Sequence, residues 1–140
     1  MDQTAICGVK IIFEQGIPGF ENLKEFFISK PFADSPFYYL QAAQQADICF
    51  LLINPFEITK AYEFNLPEPV QEVLEIKELS DVAVFNVVNA REGLDNATVN
   101  LQAPVVINVR GLKGMQVVLN EPTWQLREPL KNLLQGKVGQ

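Results

Sequence analysis

The stretch Val105-Val-Ile-Asn-Val-Arg110-Gly-Leu-Lys-Gly114-Met-Gln-Val-Val-Leu119 decides the fold class, because it reads as two strands and the turn between them. Val105, Ile107 and Val109 fall on one face of an extended chain and Val106 and Asn108 on the other, the period of two that a strand imposes. β-Branched side chains lose χ1 freedom in a helix but fit a pleated surface. Arg110-Gly111-Leu112-Lys113-Gly114 supplies a short hairpin loop, with glycine expected at the left-handed position. The loop also matches the Gly-x-x-Gly clamp of KH domains. That clamp joins helices, and this one joins strands, so a hairpin is the better reading.

Working outward, the same signal recurs along the chain. Val9–Glu14, Glu25–Ser29, Phe37–Ala42, Asp47–Ile53, Ala61–Leu66, Val82–Ala90, Thr98–Gln102, Val105–Arg110 and Met115–Asn120 are rich in β-branched or aromatic residues and end near Gly, Pro, Asn or Asp. Gly16-Ile-Pro-Gly-Phe-Glu21 lacks the spacing of a phosphate-binding loop. It reads as a turn, with Pro18 fixing φ and Gly19 free to take φ > 0, as a type II turn requires. One helix stands out over Pro67–Leu79, whose two early prolines suit a first turn. Val70, Val73 and Leu74 would pack inward, leaving Glu68, Glu72, Glu75 and Glu78 as an acidic stripe. A second short helix follows Arg127, with Leu130, Leu133 and Leu134 as its apolar stripe. Short strands at close spacing with one or two short helices predict a mostly-β, single-domain, antiparallel barrel-like fold.

Composition narrows the function. With no histidine among 140 residues, the commonest general base and transition-metal ligand is missing, and Cys7 and Cys49 make no zinc pattern. No catalytic, metal or cofactor site is assigned. Both cysteines are expected as buried, reduced thiols. The opening Met1-Asp2-Gln3-Thr4 has no basic leader, and the longest apolar run, Ile48–Ile53, is too short to span a bilayer, so a cytoplasmic protein is expected. A net charge of −6 opposes direct nucleic-acid binding. Glu57–Asp81 carries a local net of −5, whereas Asn108 to the end carries +3, an asymmetry suited to charged protein partners. Among the aromatics, alternation puts Phe37 and Tyr39 on one face and Tyr38 on the other. Trp124 reads equally as a plug or as an exposed anchor.

Several segments in this order resemble the family of flagellar assembly factors called FliW, from about Ile11 through Leu130. They are Gly16-Ile-Pro-Gly-Phe-Glu21, Ser35-Pro-Phe-Tyr-Tyr-Leu-Gln41, Asn54-Pro55-Phe56, Val99-Asn-Leu-Gln-Ala-Pro-Val-Val-Ile-Asn108, Gly114-Met-Gln-Val-Val-Leu119 and Arg127-Glu-Pro-Leu130. The resemblance implies a barrel domain over residues 1–130; the tail over 131–140 falls outside it and is expected to form a short helix and then fray. It further implies a cofactor-free monomer that binds flagellin. When flagellin is scarce, such a protein binds the RNA-binding translational repressor CsrA and antagonises it non-competitively. The acidic stripe Glu68, Glu72, Glu75 and Glu78 is the candidate surface for that antagonism, and Tyr38, Phe56, Tyr62 and Trp124 are the candidate apolar anchors for partners. The alternative is a flavin- or small-molecule-binding β-barrel enzyme.

Overall fold

The computed structural model describes residues 6–59 and 61–134. The strands are β1 (Lys10–Ile12), β2 (Glu25–Ser29), β3 (Phe37–Ala42), β4 (Cys49–Ile53), β5 (Val82–Asn89), β6 (Thr98–Val99), β7 (Val105–Asn108), β8 (Lys113–Gln116) and β9 (Glu128–Pro129). Seven of them form a ring in the order β4-β3-β2-β1-β8-β7-β5, which β5 closes by pairing Asn86 and Val87 with Ile53 and Leu52. The ladders are antiparallel except at one junction, where β1 meets β8 in parallel through Ile12 and Lys113. β6 pairs with the far end of β5, and β9 pairs with β6.

Two cores follow from the alternation. Inside the barrel, Phe13 stacks edge-on against Phe26 at 5.1 Å and Tyr38 against Phe85 at 4.9 Å, filled in by Leu40, Leu52 and Ile107. β7 is buried on both faces: Val105 and Ile107 point inward, while Val106 joins an outer core. That outer core lies against the outside of β4, β5 and β7. It is covered by the helices α1 (Glu68–Val73) and α2 (Leu130–Leu134) and by the segment around Trp124. The second helix therefore forms and buries Leu130 and Leu133 as expected, but Leu134 is exposed, and the rest of the expected tail lies outside the described residues. Among the described residues, no helix is long and apolar enough to cross a membrane.

Several expectations need correction. The second strand of the hairpin is Lys113–Gln116 rather than Met115–Asn120, and the strand expected over Thr98–Gln102 ends at Val99. Ala61–Leu66 is not a strand. With β4 and β5 paired, the ring offers no vacant edge beside it, and the segment is held through side chains instead. Tyr62 donates its hydroxyl to the Leu101 carbonyl at 2.7 Å, the Trp124 indole donates to the Glu63 carbonyl at 3.1 Å, and the Gln71 amide donates to the Leu66 carbonyl at 2.7 Å. The helix expected over Pro67–Leu79 stops at Val73, because Glu75 turns left-handed with φ 56°. In the hairpin the left-handed residue is Leu112, at φ 58°, not a glycine. Space at Gly111 is tight, since a Cβ there would lie 3.1 Å from the Asn108 amide nitrogen and that side chain would have to give by a few tenths of an ångström. Finally, Cys7 is half-buried and Cys49 exposed, and no disulfide joins them.

The Gly16–Glu21 turn forms as its sequence requires. The Phe20 amide donates to the Ile17 carbonyl at 2.7 Å with Gly19 at φ 89°. The Gly19 amide also donates to the Glu21 carboxylate at 3.1 Å.

Candidate functional site

The helix α1 has only six residues, too few to persist alone, so its position is set by its neighbours. Val70 and Leu74 bury its apolar side in the outer core. Its C-terminal end is held by one side chain. The Asn108 amide donates to the carbonyls of Leu74 at 2.8 Å and Glu75 at 3.2 Å, while its oxygen accepts from the amides of Arg110 at 3.0 Å and Gly111 at 3.1 Å. Asn108 thus joins the hairpin to the end of α1. Just beyond, Lys113 bridges the Glu75 carboxylate at 2.8 Å and the Glu14 carboxylate at 3.3 Å.

Two concave surfaces flank this helix. One is an apolar groove of about 550 Å³, whose walls include Phe56, Tyr62, Phe64, Leu66, Leu79 and Val84. The other is an acidic trough of about 480 Å³ lined by Glu68, Glu72 and Glu75, with Ile76 and Lys77. Gln71 lies in both, so the two surfaces share a wall.

The candidate aromatics divide accordingly. Tyr38, at 1% exposed, faces the barrel interior. Tyr62 and Trp124, at 2% and 6%, stack edge-on at 4.9 Å and hold Ala61–Leu66 against the outer core. Burial thus corrects the expectation that they could stand outside, although the Tyr62 ring still borders the groove. Phe56 is exposed at 48%, and across the groove stands Leu79 at 73%. Leu79 was missed because it was read as the last residue of a long helix, whereas it begins a separate 3-10 turn, Leu79–Asp81. The barrel interior is filled by Phe13, Phe26, Tyr38, Leu40 and Phe85.

The acidic residues do not form a single helical stripe. Glu68 and Glu72 project from α1, Glu75 occupies the left-handed turn after it, and Glu78 precedes the 3-10 turn. Two of the C-terminal bases are drawn into this surface: Arg110 pairs with the buried Asp81 at 3.4 Å, and Lys113 is taken by Glu75 and Glu14. Lys113 offsets the charge of Glu75, and Glu68, Glu72 and Glu78 remain as exposed carboxylates with no ion pair among the described residues.

The hydrogen bond and charge of Lys113 hold the Glu75 carboxyl below its ordinary value, while hydrogen bonds to Glu75 and Glu14 push the Lys113 ammonium up. A lowered carboxyl contributes stability at neutral pH that is lost as pH falls through its folded pKa. A raised ammonium contributes stability that is complete below its unfolded pKa and is lost as pH rises through its folded value. Anchorage of α1 is therefore expected to hold across the neutral range and loosen at both extremes. Hydrogen-exchange protection at Ile76 reads this directly, and Glu75→Gln should diminish the acid limb. An acid limb unchanged in that variant would show that other carboxylates set it.

Comparison with known proteins places this geometry in context. The family model described as FliW protein matches residues 1–130. The chain is 49% identical over 128 residues to the flagellar assembly factor FliW of Caldicellulosiruptor saccharolyticus, covering 91% of this chain and 84% of that protein. It is 37% identical over 120 residues to the flagellar assembly factor FliW of Bacillus subtilis, covering 86% and 84%. A crystal structure of the flagellar assembly factor FliW superimposes with a TM-score of 0.80 at 36% identity, over 86% of this chain and 84% of that one. Barrel, ordered motifs and sequence identity agree over most of the length, and the chain belongs to the FliW family.

Proposed function

We propose that this chain is a flagellar assembly factor that works by exchanging protein partners rather than by catalysis. As a monomer in the cytoplasm, without cofactor, it binds flagellin. When flagellin becomes scarce it binds CsrA, blocking that repressor's action on RNA and so coupling flagellin synthesis to secretion. It makes no direct contact with nucleic acid or membrane.

The observation that carries this reading is the shared wall of the apolar groove and the acidic trough. An amphipathic flagellin segment fits the groove, laying its apolar face between Phe56 and Leu79. CsrA docks on the acidic side, where Glu68, Glu72 and Glu78 come within about a Debye length, roughly 8 Å at physiological salt, of its RNA-binding surface. RNA binding rests on cations neutralising phosphates, so added negative potential weakens it without overlap. Partners seated on opposite flanks of so short a helix collide, and only one binds at a time.

Size-exclusion chromatography with flagellin, with CsrA and with both tests the exchange. A complex with each and none with both supports it, and association with neither ends it. Phe56→Ala with Leu79→Ser is expected to weaken flagellin binding by about tenfold or more, as loss of central apolar anchors does. Converting Glu68, Glu72 and Glu78 to lysine leaves the Glu75–Lys113 pair intact and should abolish antagonism of CsrA at low salt. Retained antagonism in that variant removes the electrostatic account.

A further inference from the structure

At the end of β5 away from the groove lies a cleft of about 330 Å³ lined by Asn89, Arg91, Glu92, Asn96, Thr98 and Arg127. Arg91 sits in the turn after β5 and Arg127 directly before β9. They are distant in sequence and meet only because β6 pairs with both strands: Thr98 lies opposite Asn89 on one side and Pro129 on the other. The loop that carries Arg91 is pinned by its own hydrogen bonds, with the Asn89 side chain accepting from the Arg91 amide at 3.1 Å and the Gly93 amide donating to Ala90 at 3.0 Å.

What sets this cleft apart is that it holds two of the chain's three arginines. The third, Arg110, pairs with Asp81, whereas among the described residues neither Arg91 nor Arg127 is ion-paired. Two guanidiniums thus share a concavity in a chain of net charge −6, with Glu92 at its edge and neutral donors between them. Like charges converging in this way are best relieved by an anion from outside, and a guanidinium is shaped to take a carboxylate through two parallel N–H donors.

We propose that this cleft is a second docking site, which takes an acidic segment of a protein partner by clamping neighbouring Asp or Glu carboxylates between Arg91 and Arg127, with Thr98 and Asn96 completing the hydrogen bonds. A peptide is favoured over RNA or phosphate on grounds of charge. Glu92 and the overall −6 repel a polyanion or a dianion, whereas a short acidic segment brings little charge beyond the two carboxylates the arginines neutralise. The site stands apart from the surfaces beside α1. Val82 at one end of β5 and Asn89 at the other are on the order of 23 Å apart at strand spacing. A partner held here therefore leaves the groove accessible, and the cleft adds a second point of attachment rather than a competing one.

The test titrates the isotopically labelled full chain with the blocked tetrapeptide acetyl-Gly-Asp-Glu-Gly-amide and follows backbone amide shifts. Saturable shifts confined to residues 89–98 and 127 are expected, weakening at least tenfold in the Arg91→Gln/Arg127→Gln double variant and fading in high salt. Both side chains are exposed, so the variant should keep the wild-type melting temperature and its binding loss can be assigned to the cleft. The lysine counterpart of the peptide should produce no shifts there. The proposal is overturned if the acidic peptide gives no saturable response, if its shifts map elsewhere, or if the double variant binds as well as the wild type. It is overturned equally if inorganic phosphate or a short single-stranded RNA occupies the cleft more tightly than the peptide.

Discussion

Gly114→Ala is expected to lower stability by about 3 kcal/mol and the melting temperature by roughly 10 °C, the upper range for forcing an atom into a filled core. The glycine lies in β8 where the chain passes over the Phe13 ring. A Cβ there would fall 2.5 Å from the ring's Cζ and 2.7 and 2.9 Å from its two Cε atoms. Phe13 has no room to retreat, being fully buried and stacked on Phe26 in the barrel interior. The decisive measurement is a double-mutant cycle with Phe13→Leu. That change alone destabilises by leaving space, but combined with Gly114→Ala it should recover about 1 kcal/mol or more relative to additivity. Strict additivity would mean that the glycine is not there to accommodate the ring.

Asn108→Leu is expected to cost about 3–4 kcal/mol, the range for stranding buried polar groups. The leucine would occupy a similar volume but would leave the Leu74 and Glu75 carbonyls and the Arg110 and Gly111 amides without the partner that now serves all of them. The loss should also be local before it is global. Protection from hydrogen exchange should fall first at Arg110, Gly111 and the end of α1, while β2 and β3 keep theirs. Because α1 is the wall common to groove and trough, binding of both proposed partners should weaken in this variant even at temperatures where it remains folded. A variant with normal stability, or with protection lost evenly across the barrel, would contradict the role given to Asn108.

These two positions mark how far the sequence could be read. The strand β7 was legible because its alternation is dense, and the register then followed: Val105 and Ile107 inward, Val106 and Asn108 outward. The hairpin was equally legible as a hairpin. Its internal wiring was not, because an asparagine in a strand carries no sign that it will bond to a helix end 34 residues earlier. Glycine was expected to supply the left-handed residue from general turn preferences. Once the Asn108 carbonyl accepts from the Leu112 amide and the Asn108 side chain accepts from Arg110 and Gly111, the left-handed position passes to Leu112, so local preference yields to the tertiary bonds.

The same contrast runs through the candidate site. The acidic composition of Glu57–Asp81 was visible at once, yet which charges stay exposed depended on Lys113 and Arg110 arriving from β8 and the hairpin. Ala61–Leu66 has every local mark of a strand. Only closure of the ring, which consumes the hydrogen-bonding edges of β4 and β5 where they meet, turns it into a segment held by Tyr62 and Trp124.

By itself the sequence determined the β-rich class, most strand positions, the Gly16–Glu21 turn, the second helix and the family, because each rests on spacing within a few residues or on motifs kept in order. Tertiary structure alone decided which aromatics are buried, where α1 stops, and that Arg91 and Arg127 face one cleft. Those outcomes depend on which distant strand edges pair, and pairing energy is shared between segments that carry no local record of each other.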